Sequence, residues 1–287
     1  GNHLVHYYAE GYRVLRTKKI YSKDATYQKF EVLKTNRNKR HRYGQFLVEG
    51  VRNINEAIGN GWQIHSFLYA KEKPLSRWAR DTIGSIQTEI NYELTPALMD
   101  ELSGKDDTSE LMAVVCMRKD DISQIRLSKA PLLMVFDRPS NHGNLGTIIR
   151  SCDAFGVDGL IITGHAVDLY APEVVVASMG SFFKLPAIRI PRNEQLFALI
   201  ADLKCKYPGF QVMGTTAHGQ ISLAEVDFSQ GTMIMIGNET DGLRRTFRYE
   251  SDALITIPMA RDAAASSLNV GCAASVVLYE VVRQRRG

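Results

Sequence analysis

The chain has 287 residues, 45% apolar and 23% charged, with 35 Lys and Arg against 31 Asp and Glu for a net charge of +4. That composition excludes a disordered chain, and the length suggests about two domains. No stretch reaches the roughly 18 uncharged apolar residues of a membrane helix, and from Gly1-Asn2-His3-Leu4 no export signal is expected.

Residues 1–28 show no clean periodicity and are expected to form a helical or irregular extension. From Gly11 to Arg52 twelve Lys and Arg stand against three acids, and residues 34–42 are the densest part. Tyr21, Tyr27, Phe30, Tyr43 and Phe46 are interleaved with the charges. Such a segment suits a phosphate backbone, with cations displacing counterions and rings stacking on bases. It also suits a solvated charged face. Arg37, Lys39, Arg40 and Arg42 are the candidate RNA contacts. Strands are predicted at 46–50, 64–69, 89–94 and 111–117. Helices are predicted at 51–59, at 74–86 and from Thr95-Pro96 onward. The result is a small alternating β/α domain over 29–119, followed by a polar linker at 120–130.

Beyond the linker the pattern turns apolar. Continuous runs at 132–136, 160–162 and 233–236, and nearly one at 254–257, indicate strands covered on both faces, hence a parallel sheet with helices on each side. Helices are predicted at 146–155, 193–206 and 267–283. The last carries Val270, Ala273, Ala274, Val277, Leu278 and Val281 on one apolar face, which fits either a subunit interface or the interior of one chain. Residues 131–287 therefore read as one α/β domain.

Several cofactor signatures are absent. No GxGxxG follows a strand, Gly104-Lys105 lacks the upstream glycine of a phosphate loop, and neither HExxH nor GxSxG occurs. The seven histidines are scattered, so no metal site is expected. Cys116, Cys152, Cys205 and Cys272 form no CxxC pair, and free thiols in a reducing cytoplasm are expected. What remains are three polar loops just after strands, where open α/β sheets bind ligands. The first runs from Asp137 to Arg150; with a helix starting near Gly146, Arg150 would sit one turn in. The second is Gly237 to Leu243, which alone is an ordinary turn with local Asn and Asp bonds. In the third, Ser266 or Ser267 could simply cap the last helix.

Together, in this order, the loops resemble the three motifs of the SpoU (TrmH-like) branch of the SPOUT RNA methyltransferases. The first motif matches Asn144-Leu145-Gly146-Thr147-Ile148-Ile149-Arg150. The second matches Gly237-Asn238-Glu239 with Gly242-Leu243, and the third Ile257-Pro258-Met259 with Ser267-Leu268-Asn269-Val270. Ser178-Met179-Gly180-Ser181 extends the similarity, which covers residues 131–287. More weakly, residues 46–52 resemble the opening of the ribosomal-protein-like substrate-binding domain of many members.

The resemblance implies a C-terminal domain tied in a deep trefoil knot, S-adenosylmethionine bound there, and a homodimer. The implied reaction is methyl transfer to a ribose 2′-hydroxyl, with rRNA favoured over tRNA because the N-terminal domain resembles those of rRNA-modifying members. A non-catalytic RNA-binding or ribosome-assembly protein with the same fold is the alternative. Among the implied roles, Arg150 activates the hydroxyl or clamps the adjacent phosphate. Asn144 and Asn269 orient Arg150 or the ribose, Ser267 bonds the target nucleotide, and Glu239 anchors the second loop. Main-chain groups of Gly237, Ile257 and Leu268 would hold the adenine, with Asn238 and Met259 beside them and Thr215-Thr216-Ala217 completing the pocket. One departure stands out: the family often has Asp-Pro ahead of the motif asparagine, where this chain has Asn141-His142-Gly143. Asn141 thus competes with Asn144, and the spacing to Gly146 and Arg150 favours Asn144.

Overall fold

The computed structural model describes residues 2–8 and 11–286, with side chains from Arg16 onward. Residues up to Arg118, with Tyr170–Val175, form one unit; Lys119–Leu169 and the residues from Val176 form the other.

The first unit opens with β1 (Asn2–Tyr8) and β2 (Gly11–Ile20), an antiparallel pair where an irregular or helical extension is expected. β2 runs parallel to β5 (Asn91–Leu94), with Thr17 opposite Asn91 and Ile20 opposite Leu94. Toward the end of β2 the buried positions are Thr17 and Ile20, among Arg16, Lys18 and Lys19. Apolar residues are thus too sparse there to betray a strand. Between β2 and β5 come α1 (Ala25–Thr35), α2 (Arg37–Tyr43), β3 (Gln45–Glu49), α3 (Val51–Gly59), β4 (Ile64–Ala70) and α4 (Arg77–Ser85). α5 (Pro96–Leu102) and β6 (Leu111–Cys116) follow, and the sheet order is β1-β2-β5-β4-β6-β3. Side-chain caps set the helix starts. Asp24, Asn36, Ser76 and Thr95 each accept the N–H three residues on. The cap at Ser76 is why α4 starts at Arg77, three residues later than expected. Tyr27, Phe30 and Leu33 of α1 fill the core against Leu47, Leu68, Leu94 and Met112.

In the second unit β7 (Leu132–Asp137), α6 (His142–Ala154) and β8 (Gly159–Thr163) come first. The chain then passes through α7 (Pro172–Ala177) to β9 (Ala187–Ile190), α8 (Asn193–Lys206), β10 (Gln211–Thr215) and β11 (Ile221–Ser222). It ends with β12 (Thr232–Ile236), α9 (Arg245–Glu250), β13 (Ala253–Thr256) and α10 (Val270–Arg286). All seven strands are parallel, in the order β11-β13-β10-β12-β7-β8-β9. Every residue of β7, β8 and β12 is buried, as their unbroken apolar runs require. From β7 the strands proceed outward to β9, whereas β12 is inserted between β7 and β10. The order therefore reverses at the β7–β12 boundary, and the crevice beyond the carboxyl ends there is where such sheets bind ligands.

Candidate active site

The loop after β7 gives its two asparagines different partners. Asn141 Oδ1 accepts the Asn144 N–H at 2.9 Å and is the N-cap of α6. The helix therefore starts at His142, four residues before Gly146, and Arg150 lies two turns in rather than one. Asn144 keeps its side chain for another contact: its Oδ1 accepts from Asn269 Nδ2 at 3.2 Å. Asn269 Oδ1 in turn accepts the N–H groups of Gly271 (2.9 Å) and Cys272 (3.3 Å). Asn269, not Ser266 or Ser267, thus caps α10, which begins at Val270 rather than at 267. Below this contact α6 and α10 pack closely: a Cβ on Gly271 would stand 3.2 Å from Thr147 Cγ2, and the Ser151 and Ser275 hydroxyls are 2.7 Å apart. Arg150 is exposed, and its side chain makes no hydrogen bond or ion pair with another described residue.

The loops after β7 and β12 clasp each other. Arg138 Nη2 donates to the Gly242 carbonyl (2.8 Å), and Asn238 Nδ2 donates to the Arg138 carbonyl (2.7 Å). The Glu239 carboxylate accepts the N–H groups of Ser140 (2.9 Å) and Asn141 (3.3 Å) and the Ser140 hydroxyl. Asn238 Oδ1 closes its own loop by accepting from Thr240 and Asp241, each at 2.9 Å. Beneath the clasp lies Asp137, fully buried. It accepts from Arg138 Nε (3.1 Å), Arg244 Nη2 (2.8 Å) and Thr163 Oγ1 (2.9 Å). Arg138 adopts φ +54°, a left-handed backbone unusual for a residue with a Cβ, and these bonds hold it there. Asp137, Arg138, Ser140 and Arg244 were not singled out from sequence. The available signal was a carboxylate ending an otherwise apolar buried run.

A cavity of about 460 Å³ opens at these strand ends, within the ordinary size range of small-molecule sites. Thr215, Thr216 and Ala217, Gly237 to Leu243, Ile257, Met259 and Ser266 to Val270 line it. All eight residues expected to hold a cofactor are therefore brought together. Glu239, Ser267 and Asn269 are also on its wall, while Asn144 reaches it through Asn269 and Arg150 stands outside. At Gly237 a Cβ would fall 2.0 Å from the Leu243 nitrogen, so only glycine allows this wall to close. Among the described residues the N–H and C=O of Ile257 and Leu268 have no hydrogen-bond partner. These groups lie on the cavity wall with the apolar Leu223, Ile255 and Val277. No group of three or more potential metal ligands occurs among the described residues.

Residues 131–279 match the SpoU rRNA Methylase family, and residues 24–113 match the SpoU L30e-like domain. The chain belongs to the SpoU rRNA methylase family. A 23S rRNA (uridine(2479)-2′-O)-methyltransferase of Streptomyces viridochromogenes is 41% identical over 278 residues, 96% of each chain. The crystal structure of the SpoU methyltransferase AviRb from the same organism, in complex with the cofactor AdoMet, matches with a TM-score of 0.87 and 42% identity. That match covers 92% of this chain and 99% of that one. An AdoMet-bound rRNA methyltransferase from Sinorhizobium meliloti matches with a TM-score of 0.81 at 26% identity, covering 93% and 98%.

In this SpoU chain, burial sorts the residues of the basic arm and of α10. In the basic arm, Arg37 and Arg42 are exposed and Lys39 half-buried, but Arg40 is 4% exposed. Its guanidinium donates to the carbonyls of Leu33 (3.2 Å) and Lys34 (3.3 Å), tying α2 to the end of α1. Arg40 holds the helix pair together and, unlike Arg37 and Arg42, is not open to solvent. On α10, Ala274, Val277, Leu278 and Val281 are buried within the chain itself. The exposed large apolar residues of that helix are Val276 and Tyr279.

Proposed function

We propose that this SpoU chain is an enzyme that transfers a methyl group from S-adenosylmethionine to a ribose 2′-hydroxyl of ribosomal RNA. The observation that carries the reading is the Asn144–Asn269 contact. It joins the first and third motifs at the edge of a cavity walled by the second, at the sheet's switch point. Bound there, S-adenosylmethionine supplies an electrophilic methyl group. Main-chain groups of Ile257 and Leu268 would read its adenine, and Thr215 to Ala217, Gly237, Asn238 and Met259 would enclose it.

In-line displacement at that methyl depends on positioning, so the chain's task is to place the ribose oxygen and take its proton. A guanidinium releases its own proton too reluctantly to act as a base near neutral pH. Arg150 instead grips the phosphate next to the target ribose, and a phosphate oxygen receives the hydroxyl proton. Asn144 and Asn269 orient the ribose, and Ser267 bonds the nucleotide. Glu239 acts indirectly, by holding the backbone of Ser140 and Asn141. Residues 29–119 form the RNA substrate-binding domain, contacting phosphates through Arg37, Lys39 and Arg42, and residues 131–287 are catalytic. The insertion of β12 and the return of α10 onto α6 fit a knotted C-terminal segment. The enzyme works in the cytoplasm as a homodimer through the exposed Val276 and Tyr279 side of α10, an assembly that light scattering reads directly.

The test is methyl incorporation from labelled S-adenosylmethionine into ribosomal RNA, with the modified ribose located by its resistance to alkaline cleavage. Arg150→Ala should lower turnover about 100- to 1,000-fold and leave cofactor affinity intact. Near-wild-type turnover would place the catalytic centre elsewhere. RNA binding by the wild type without transfer would mark a non-catalytic protein.

A further inference from the structure

Helix α9, Arg-Thr-Phe-Arg-Tyr-Glu, is fastened on one side and bare on the other. Phe247 is fully buried, edge-on to Phe197 with ring centroids 5.9 Å apart, and the preceding Arg244 is bound to Asp137. Arg245, Arg248 and Tyr249 stand at i, i+3 and i+4 and so share one face. All three are exposed, and Tyr249, at 87%, is the most exposed large hydrophobic side chain among the described residues. The side chains of Arg245 and Arg248 make no hydrogen bond or ion pair with a described residue. Residues 244–250 hold three arginines and one carboxylate, Glu250. Arg248 also lines the cofactor cavity, so this face continues outward from the cavity wall.

An unpacked aromatic ring on the same face as two unpaired guanidinium groups gains nothing from water. Its chemistry suits a polyanion whose charges pair with arginine and whose planar bases stack on the ring. We propose that the Arg245–Arg248–Tyr249 face binds the RNA strand flanking the ribose to be methylated, with the arginines on phosphates and Tyr249 against a base. Stacking on Tyr249 needs an unpaired base, so the strand is single at that point. This inference rests on the RNA methyl-transfer reading and adds to it a substrate contact on the catalytic unit.

The full-length protein is titrated with a short fluorescent single-stranded RNA of mixed sequence, and with the same strand annealed into a duplex, over a series of salt concentrations. Arg245→Ala with Arg248→Ala should lower the slope of log K against log salt for the single strand by about 1.4 units, two contacts' worth. Tyr249→Ala should weaken single-strand binding about tenfold and duplex binding far less, and Tyr249→Phe should restore it, because the ring does the stacking. Arg245→Ala and Tyr249→Ala should leave S-adenosylmethionine affinity unchanged. A wild type that binds RNA and transfers methyl groups, beside variants with unaltered RNA affinity, would overturn this assignment and leave the reaction standing. Dissociation of the Tyr249→Ala protein into monomers, with RNA affinity unchanged, would give the face to a second copy of the chain and overturn it as well. A wild type that neither binds RNA nor transfers methyl would instead overturn the underlying reading.

Discussion

On one side of the cofactor cavity, residues 238–242 are clasped to residues 138–141 through Arg138, Asn238 and Glu239 over the buried Asp137. On the other side, residues 257–268 form one hydrogen bond among the described residues, from the Ala263 N–H to the Ala260 carbonyl, and residues 260–269 are all exposed. The first wall has its polar groups satisfied by the protein. The second leaves the main-chain groups of Ile257 and Leu268 for a ligand. One wall is thus held by its own hydrogen bonds, and any ordering that capture of a ligand requires would fall on the other, with its entropic cost on a single loop.

Substitutions at five positions test that contrast, and the largest effect belongs to the clasped wall. Asp137→Ala leaves Arg138 and Arg244 without their shared carboxylate and should cost about 3–5 kcal/mol in chemical denaturation. A loss below about 1 kcal/mol would mean that the clasp is ornamental. Gly237→Ala forces a methyl group into the Leu243 backbone and should cost about 1–3 kcal/mol. Calorimetric titration should show S-adenosylmethionine affinity lost with it. At the junction of the two walls, Asn269→Ala removes the α10 cap and should cost about 1 kcal/mol. Asn269→Asp should recover most of that stability but not turnover, since a carboxylate cannot donate to Asn144. On the open wall, Arg261→Ala or Asp262→Ala should change stability by no more than about 0.5 kcal/mol. Limited proteolysis should cut the free protein within 260–268 and spare it once S-adenosylmethionine is bound. Equal cutting with and without cofactor would show that the loop is not ordered by the ligand.

Strands β7, β8 and β12 were legible in the sequence because burial on both faces leaves an unbroken apolar run, and α8 falls on residues 193–206 as expected. Helix starts were harder to read, because a cap is a choice among several polar residues. Gly143 and Gly146 suggested a turn, yet Asn141 Oδ1 had already begun the helix. Ser266 and Ser267 are good caps in isolation, and Asn269 took the role because its amide also reaches Asn144. Within the basic run nothing local separates Arg40 from Arg37 or Arg42. The burial of Arg40 depends on carbonyls at the end of the preceding helix. The contacts of Asp137 with Arg244 join residues 107 apart in sequence, and no periodicity reports such a pairing. The motif residues themselves were readable through family likeness. Their mutual geometry was not.

The placement of β12 between β7 and β10 also has a consequence for how the protein comes into being on the ribosome. β10 finds both of its sheet neighbours, β12 and β13, downstream of itself, while β7 pairs on one side with β8 and waits on the other for residues 232–236. A growing chain that has reached residue 231 therefore carries a strand apolar but for Asp137 with one open edge, and a second strand with no partner, a form prone to sticking to other chains. Nearly every residue on the cavity wall belongs to sequence not yet made at that moment. The capacity to bind a methyl donor thus arrives last and all at once, with the same strands that close the sheet, so a chain that holds cofactor is one whose sheet is complete.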